Sequence, residues 1–276
     1  MASPLISTAE LDELLGQRDA VTVLDVRWRM GGPPGAEAHA AGHVPGAAYV
    51  DLERDLAAPA ASPVDERGRH PLPTLEAFGA AMRRAGVRAD RPVVVYDDWQ
   101  GRAAARAWWL LRHHGHDRVR VLDGGWSAWV ADGGAVQTGA VLVPPGDFEP
   151  GPGRLPVVDA QAATAVDVLV DAREPERYRG DHEPADPVAG RVPGAVNLPT
   201  SVNLRADGRF RSPVELAALY AVEGVTPEES VAAYCGSGVT ATHDLLAMEL
   251  IGVTAALYAP SFSGWVSDPE RPVERG

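Results

Sequence analysis

"VAAYCGSGVTATHDLLAMEL", residues 231–250, holds three features in succession: a short apolar run, a turn rich in glycine and serine, and an apolar segment long enough for a helix. A strand passing into a helix through so tight a turn belongs to a parallel sheet covered by helices. The order recurs upstream in "RPVVVYDDWQGRAAARAWWLLRHHG", residues 91–115. Working outward, "VTVLDVRWR" and "GHVPGAAYVDL" precede the upstream copy and "VRVLDGGWSAWV" follows it. "VDVLVDAREPERYRG" and "GRVPGAVNLP" precede the downstream copy, and "AALYAPSFSGWV" follows it. Asp25 thus corresponds to Asp171, Gly46 to Gly194, Tyr96 to Tyr234 and Trp129 to Trp265, a spacing of about 140 residues that is a whole domain and not a solenoid unit. Strands are expected at 21–26, 93–96 and 119–122 in the first copy, and at 168–171 and 231–234 in the second. The expected fold is α/β, with tandem domains each a parallel sheet flanked by helices. The expected division is 1–140, a Pro/Gly-rich linker at 141–156, and 157–276.

Composition removes several function classes. The formal net charge of -13 argues against nucleic acid and anionic membrane, which need clustered positive charge. No apolar stretch approaches the ~20 residues that span a bilayer. All 25 basic residues are Arg, so lysine Schiff-base chemistry and a P-loop lysine are excluded, and any cation offered to a substrate is a guanidinium suited to carboxylates. The start, "MASPLISTAELDELLGQRD", has a Ser7–Glu10 capping pattern where an export signal would have basic and then apolar residues. A single Cys cannot form an internal disulfide, so a reducing cytoplasm is the expected compartment. His39 and His43 lie four apart, but Gly42 and Pro45 argue against a helix there, and no metal is expected. His113, His114 and His116 read as a solvated helix end, and Trp108, Trp109, Trp126, Trp129 and Trp265 as packing residues.

The copies differ at the strand end after the shared Tyr. The first has Asp97-Asp98-Trp99-Gln100 and the second Cys235-Gly236-Ser237-Gly238, so only the second can supply a thiolate. A free Cys is commonly an inert core residue. A strand end followed by Gly-Ser-Gly, however, is where backbone amides and a helix N-terminus collect an anion, which favours thiolate over thiol. Attack on phosphorus is disfavoured, because a tyrosine-phosphatase-type loop needs Arg at the position where Ala241 stands, and residues 236–242 carry no cation.

Together, "CGSGVTA", "HVPGAAYVDL" and "RVPGAVNLP", "LDVRWR" and "VDAREPERYRG", and "LDGGWSAWV" resemble the two-domain rhodanese family of sulfurtransferases over essentially the whole chain. The neutral Cys-Gly-Ser-Gly-Val-Thr loop is similar to the 3-mercaptopyruvate branch, since thiosulfate is a dianion that gains from cations beside the thiol. The resemblance implies tandem rhodanese-like domains, the first non-catalytic with Asp97 in place of the Cys. It implies transfer of sulfane sulfur from 3-mercaptopyruvate through a Cys235 persulfide to a thiol or cyanide, without a cofactor. The backbone of Gly236, Gly238, Val239 and Thr240 would hold the anion, Ser237 would relay a proton with His43, and Arg177 would bind the donor carboxylate. A second Arg is missing after "RG", so Arg179 or Arg191 is the expected substitute. A small-molecule sulfur donor and a thiol acceptor such as a thioredoxin-like protein are the implied partners. The alternatives are a thiosulfate:cyanide sulfurtransferase, or a persulfide carrier or redox-regulatory binding protein with little turnover.

Overall fold

The apolar runs become strands buried along their whole length, which is why they read as continuous hydrophobic blocks without alternation: β2, β4 and β8 below expose no residue. The computed structural model describes residues 3–276 and divides into two units. Unit 1 comprises Met1–Ala58, Pro73–Arg154 and Ala206–Phe210. Its elements are β1 (Leu5–Ile6), α1 (Thr8–Leu15), β2 (Thr22–Asp25), α2 (Gly35–Ala41), β3 (Ala48–Tyr49), α3 (Leu52–Asp55), α4 (Leu75–Arg84), β4 (Val93–Tyr96), α5 (Arg102–His113), β5 (Val119–Leu122) and α6 (Gly125–Ala131). The strands form a parallel sheet in the order β1-β5-β4-β2-β3, with Leu24 opposite Val95 and Ala48.

Unit 2 comprises Pro59–Leu72, Leu155–Arg205 and Arg211–Gly276. It contains α7 (Ala160–Ala163), β6 (Val168–Asp171), α8 (Pro175–Arg179), β7 (Val196–Asn197), a 3-10 turn (Thr200–Asn203), α9 (Pro213–Val222), β8 (Val231–Tyr234), α10 (Ala241–Leu250), β9 (Ala256–Leu257) and α11 (Ser261–Trp265). Its parallel sheet runs β7-β6-β8-β9. Ser7 with Glu10 and Ser212 with Glu215 form reciprocal capping boxes that start α1 and α9.

Each sheet carries the same buried ionic knot. In unit 1 the Tyr96 hydroxyl donates to Asp25 at 2.7 Å, and Arg27 Nε donates to the same carboxylate at 3.1 Å. In unit 2 Tyr234 donates to Asp171 at 2.6 Å, and Arg173 donates to it at 2.6 Å and to the Gly190 carbonyl at 2.7 Å. Both tyrosine hydroxyls accept the N–H of a residue shortly before β3 or β7, Val44 or Val192. Buried carboxylates and guanidiniums are tolerated because each is paired and hydrogen-bonded. Asp171 and Arg173 are therefore framework residues, repeated as Asp25 and Arg27 in the copy without a thiol.

Three expectations are corrected. The boundary does not fall at one place in the sequence: Pro59–Leu72 belongs to unit 2 and Ala206–Phe210 to unit 1. The 141–156 stretch belongs to unit 1 as far as Arg154, with Phe148 buried and its N–H donating to the Val87 carbonyl at 3.2 Å. The histidines at the end of α5 are buried instead of solvated. His113 stacks on Trp109 at 4.5 Å, His114 Nδ1 meets the Gly151 carbonyl at 2.9 Å, and His116 Nε2 meets the Arg88 carbonyl at 3.1 Å. Trp108, Trp109, Trp129 and Trp265 are buried, as packing residues should be. No helix among the described residues is long and apolar enough to cross a membrane.

Candidate active site

β8 ends at Tyr234 and α10 begins at Ala241, so Cys235, Gly236, Ser237, Gly238, Val239 and Thr240 form one loop at the carboxyl end of a central strand. Ligands collect at this position in parallel sheets, because the following helix offers unpaired N–H groups and the positive end of its dipole. Gly238 makes the curl feasible. Its φ is +78°, and a Cβ there would lie 2.2 Å from the Ala259 carbonyl oxygen. In that conformation the Gly238 N–H donates to Cys235 Sγ at 3.1 Å. Thr240 is the last residue before α10, and the Thr242 hydroxyl donates back to the Val239 carbonyl at 2.7 Å, closing the loop.

The floor under the thiol comes from α11. The Cys235 N–H donates to Ser261 Oγ at 3.1 Å, and that hydroxyl lies 4.0 Å from Sγ and 3.0 Å from the Tyr258 carbonyl. Phe262 and Ser263 N–H donate to the carbonyls of Cys235 and Gly236 at 2.9 and 3.0 Å. Cys235 is 2% exposed. An inert core thiol would be surrounded by apolar side chains, whereas this sulfur has an amide, a hydroxyl and nearby cations.

Those cations are Arg177 and Arg69. A Cβ placed on Gly236 would lie 3.0 Å from Arg69 Nη2 and 3.2 and 3.3 Å from the two Arg177 Nη atoms, so both guanidiniums lie directly against the residue after the thiol. Arg177, on α8, is held by Glu183 at 2.6 and 3.1 Å and by Asp186 at 3.3 Å. Arg69 pairs with Asp186, and its backbone N–H donates to Ser263 Oγ at 3.1 Å. Burial, then the like charge of Arg177, pulls Arg69 below the usual arginine range, while the Cys235 and Glu183 charges act in the opposite sense. Arg69 is thus a second guanidinium beside Gly236. Arg179 pairs with Asp181 at 2.7 Å and Arg191 with Glu274 at 3.5 Å.

Ser237 also has a partner, but not the expected one. His70 Nδ1 and Ser237 Oγ share a hydrogen bond of 2.7 Å. His43 belongs to unit 1, where its Nδ1 meets the His39 carbonyl at 2.7 Å and its ring lies stacked on His39 at 4.0 Å. The turn that carries His43 buries it, at 0% exposure. His39 lies within α2, which ends just before Gly42, so the helix reaches further than the glycine and proline suggested. Arg69 and His70 reach the loop because the stretch 59–72 lies close against the start of α11. A Cβ on Gly68 would sit 2.4 Å from the Pro260 carbonyl oxygen, and Gly68 has φ of +79°.

Arg69 and His70 were missed because a Pro-rich connection in the first half gives no local sign that it folds with the second. The repeat carries the signal nonetheless. Gly68-Arg69-His70 corresponds to Gly208-Arg209-Phe210, and the latter triplet is the stretch that belongs to unit 1. The His/Phe difference therefore follows the Cys/Asp difference. Among the described residues, no group of three or more His, Cys, Asp or Glu side chains is arranged to hold a metal ion.

The chain is similar to known proteins over nearly its whole length. The rhodanese-like domain model matches residues 7–132 and 157–268. SseB of Mycobacterium tuberculosis, provisionally named a thiosulfate sulfurtransferase, is 45% identical over 279 residues, spanning 99% of this chain and 97% of its own length. A Pseudomonas aeruginosa protein provisionally named a 3-mercaptopyruvate sulfurtransferase is 43% identical over 284 residues, 100% of this chain and 99% of its own. The crystal structure of SseA from Escherichia coli, presented as a 3-mercaptopyruvate sulfotransferase, superposes with a TM-score of 0.79 at 30% identity, covering 95% of this chain and 100% of that one.

Proposed function

The chain belongs to the rhodanese-like family, and on that premise we propose that it moves sulfane sulfur from 3-mercaptopyruvate through a Cys235 persulfide to a thiol or cyanide acceptor. It is a sulfurtransferase with one working loop: Cys235 is the single thiol, and Asp97 occupies its place in the other copy.

In the first half-reaction, Cys235 thiolate attacks the donor's sulfur. The S–S bond forms, the donor's C–S bond breaks, and its electron pair passes to carbon as the enolate of pyruvate. The proton of the donor thiol ends on that carbon, giving pyruvate and an anionic persulfide. Ser237 and His70, joined at 2.7 Å, are the groups able to hold and move that proton. The Gly238 N–H and the α10 N-terminus oppose the negative charge, first on the thiolate and then on the persulfide. Arg177, seconded by Arg69, holds the donor carboxylate bidentately beside Gly236. In the second half-reaction, cyanide or a thiolate attacks the outer sulfur, the S–S bond breaks, and Cys235 recovers its thiolate.

The observation that carries this reading is a lone thiol with an amide on its sulfur and two guanidiniums against the next residue. The test is kcat/KM for transfer to cyanide from 3-mercaptopyruvate and from thiosulfate, with Cys235→Ser as reference. A tenfold preference for mercaptopyruvate, about 1.4 kcal/mol, that disappears in the variant is the expected result. A preference for thiosulfate would keep the family and change the donor. No turnover with either donor would leave a persulfide carrier.

A further inference from the structure

The loop after Cys235 has no cation of its own, yet Arg69 and Arg177 both lie against it. Two unopposed guanidiniums would make this a dianion site, because attraction grows with the charge on the ligand. They are not unopposed. Glu183 and Asp186 are almost completely buried beneath them, with side chains 3% and 1% exposed, and the four groups cancel in formal charge.

The two carboxylates differ in what else they do. Glu183 also accepts the N–H groups of Ala185 and Asp186 at 3.0 and 3.1 Å and faces Arg173 at 3.4 Å, so it shapes the loop. The hydrogen bonds of the Asp186 carboxylate go to Arg69 and Arg177. Its chemistry here is that of an anion already sitting on the guanidiniums that receive the donor.

We infer that Asp186 is a specificity-determining residue: it cancels the charge Arg69 brings to the thiol and so biases the site toward a monoanionic donor and against a dianion. The inference rests on the sulfurtransferase reading. Mercaptopyruvate carries one negative charge, on a carboxylate separated from the reacting sulfur, and needs one guanidinium. Thiosulfate carries two charges next to the sulfur that is transferred, and loses more when a fixed carboxylate neutralises the second cation.

The test uses the whole protein and the ratio of kcat/KM for thiosulfate to kcat/KM for 3-mercaptopyruvate. Asp186→Asn removes the charge while keeping the side chain's size and is expected to raise that ratio about fivefold or more at low salt, the gain shrinking as ionic strength rises. Asp186→Glu should keep the ratio of the unsubstituted protein. Arg69→Gln, which leaves Asp186 to Arg177, should lower thiosulfate turnover more than mercaptopyruvate turnover. An unmoved ratio in Asp186→Asn, or an equal fall with both donors, would overturn the inference, since Asp186 would then only hold Arg69 in place. If the unsubstituted protein shows no Cys235-dependent transfer from either donor, the functional reading fails and this inference fails with it. Normal transfer with an unmoved ratio defeats the inference alone.

Discussion

At the scale of single residues, the site is a set of short contacts whose removal has separable effects. His70 meets Ser237 and lies within unit 2, while His43 is buried within unit 1. His70→Phe places at this position the residue that the other copy carries at Phe210, and it should lower kcat/KM for mercaptopyruvate about a hundredfold while leaving the melting temperature nearly unchanged. His43→Phe should do the reverse, and steady-state kinetics with thermal denaturation of both variants checks the assignment. Ser261 permits a finer test. Its φ is +56°, a conformation that costs a side chain, and its counterpart Gly125 has φ of +57°. The correspondence is structural, since Trp126 N–H donates to Asp97 as Phe262 N–H donates to Cys235. A hydroxyl retained there, 4.0 Å from Sγ and able to turn its proton from the Tyr258 carbonyl toward an anionic sulfur, supports the thiolate. Ser261→Gly relieves strain of about 1 kcal/mol but removes the acceptor for the Cys235 N–H, leaving stability within about 1 kcal/mol of the parent. Ser261→Ala keeps the strain and should be clearly less stable. Both should slow alkylation of Cys235 to the same extent. Rates that followed stability instead would assign Ser261 a structural role.

At the scale of elements, the two strand–loop–helix turns show how one backbone device is used in two ways. The turn after β8 leaves a sulfur at the head of α10. The turn after β4 fills the same place with Asp97, fully buried, whose Oδ1 accepts the N–H groups of Trp99 and Gly101 at 2.8 Å each. Its Oδ2 accepts those of Ala103 and Ala104 at 2.7 and 2.9 Å. The carboxylate is a resident anion that satisfies the open end of α5. Burial raises its proton affinity, and the four N–H groups pull the other way. Asp97→Ala would leave four donors, three of them buried, without this partner, at a cost of about 3 kcal/mol or more. Asp97→Asn should cost nearly as much, because its amide NH2 has to face one of the two donor pairs. Chemical denaturation of both variants measures this, and kcat/KM at 25 °C should stay at the parent value in each. An Asn variant as stable as the parent would mean that the charge and second acceptor of Asp97 contribute nothing.

At the scale of the whole molecule, the duplication explains both what was legible in the sequence and what was not. Two parallel sheets were readable because strands buried on both faces appear as uninterrupted apolar runs, and each run occurs twice. The loop 235–240 stood out as a difference between copies, and Arg177 was named through the resemblance of "VDAREPERYRG" to the family. The place of 59–72 was hidden, because apolar periodicity assigns a segment to a structural class and does not say which sheet a connection serves. Buried charge shared by both copies was equally visible, as Asp25 with Arg27 and Asp171 with Arg173, but its consequence depends on local solvation. Burial pushes the Asp25 carboxyl up to about 7 from 3.8, against the pull of the Arg27 guanidinium 3.1 Å away. Between those values the folded protein retains a proton that the unfolded chain has lost, so this group's contribution to stability is full below about 4 and falls as pH rises toward about 7. His39, lowered by burial, acts in the opposite sense below the ordinary histidine range, and comparison with Asp25→Asn cancels its effect. Between pH 7 and pH 5 the parent should gain about 2 kcal/mol relative to Asp25→Asn, as measured by thermal unfolding of the two proteins at matched pH values. A difference constant across that range would mean that Arg27 keeps Asp25 ionised throughout, and the knot under the first sheet would then be a permanent ion pair.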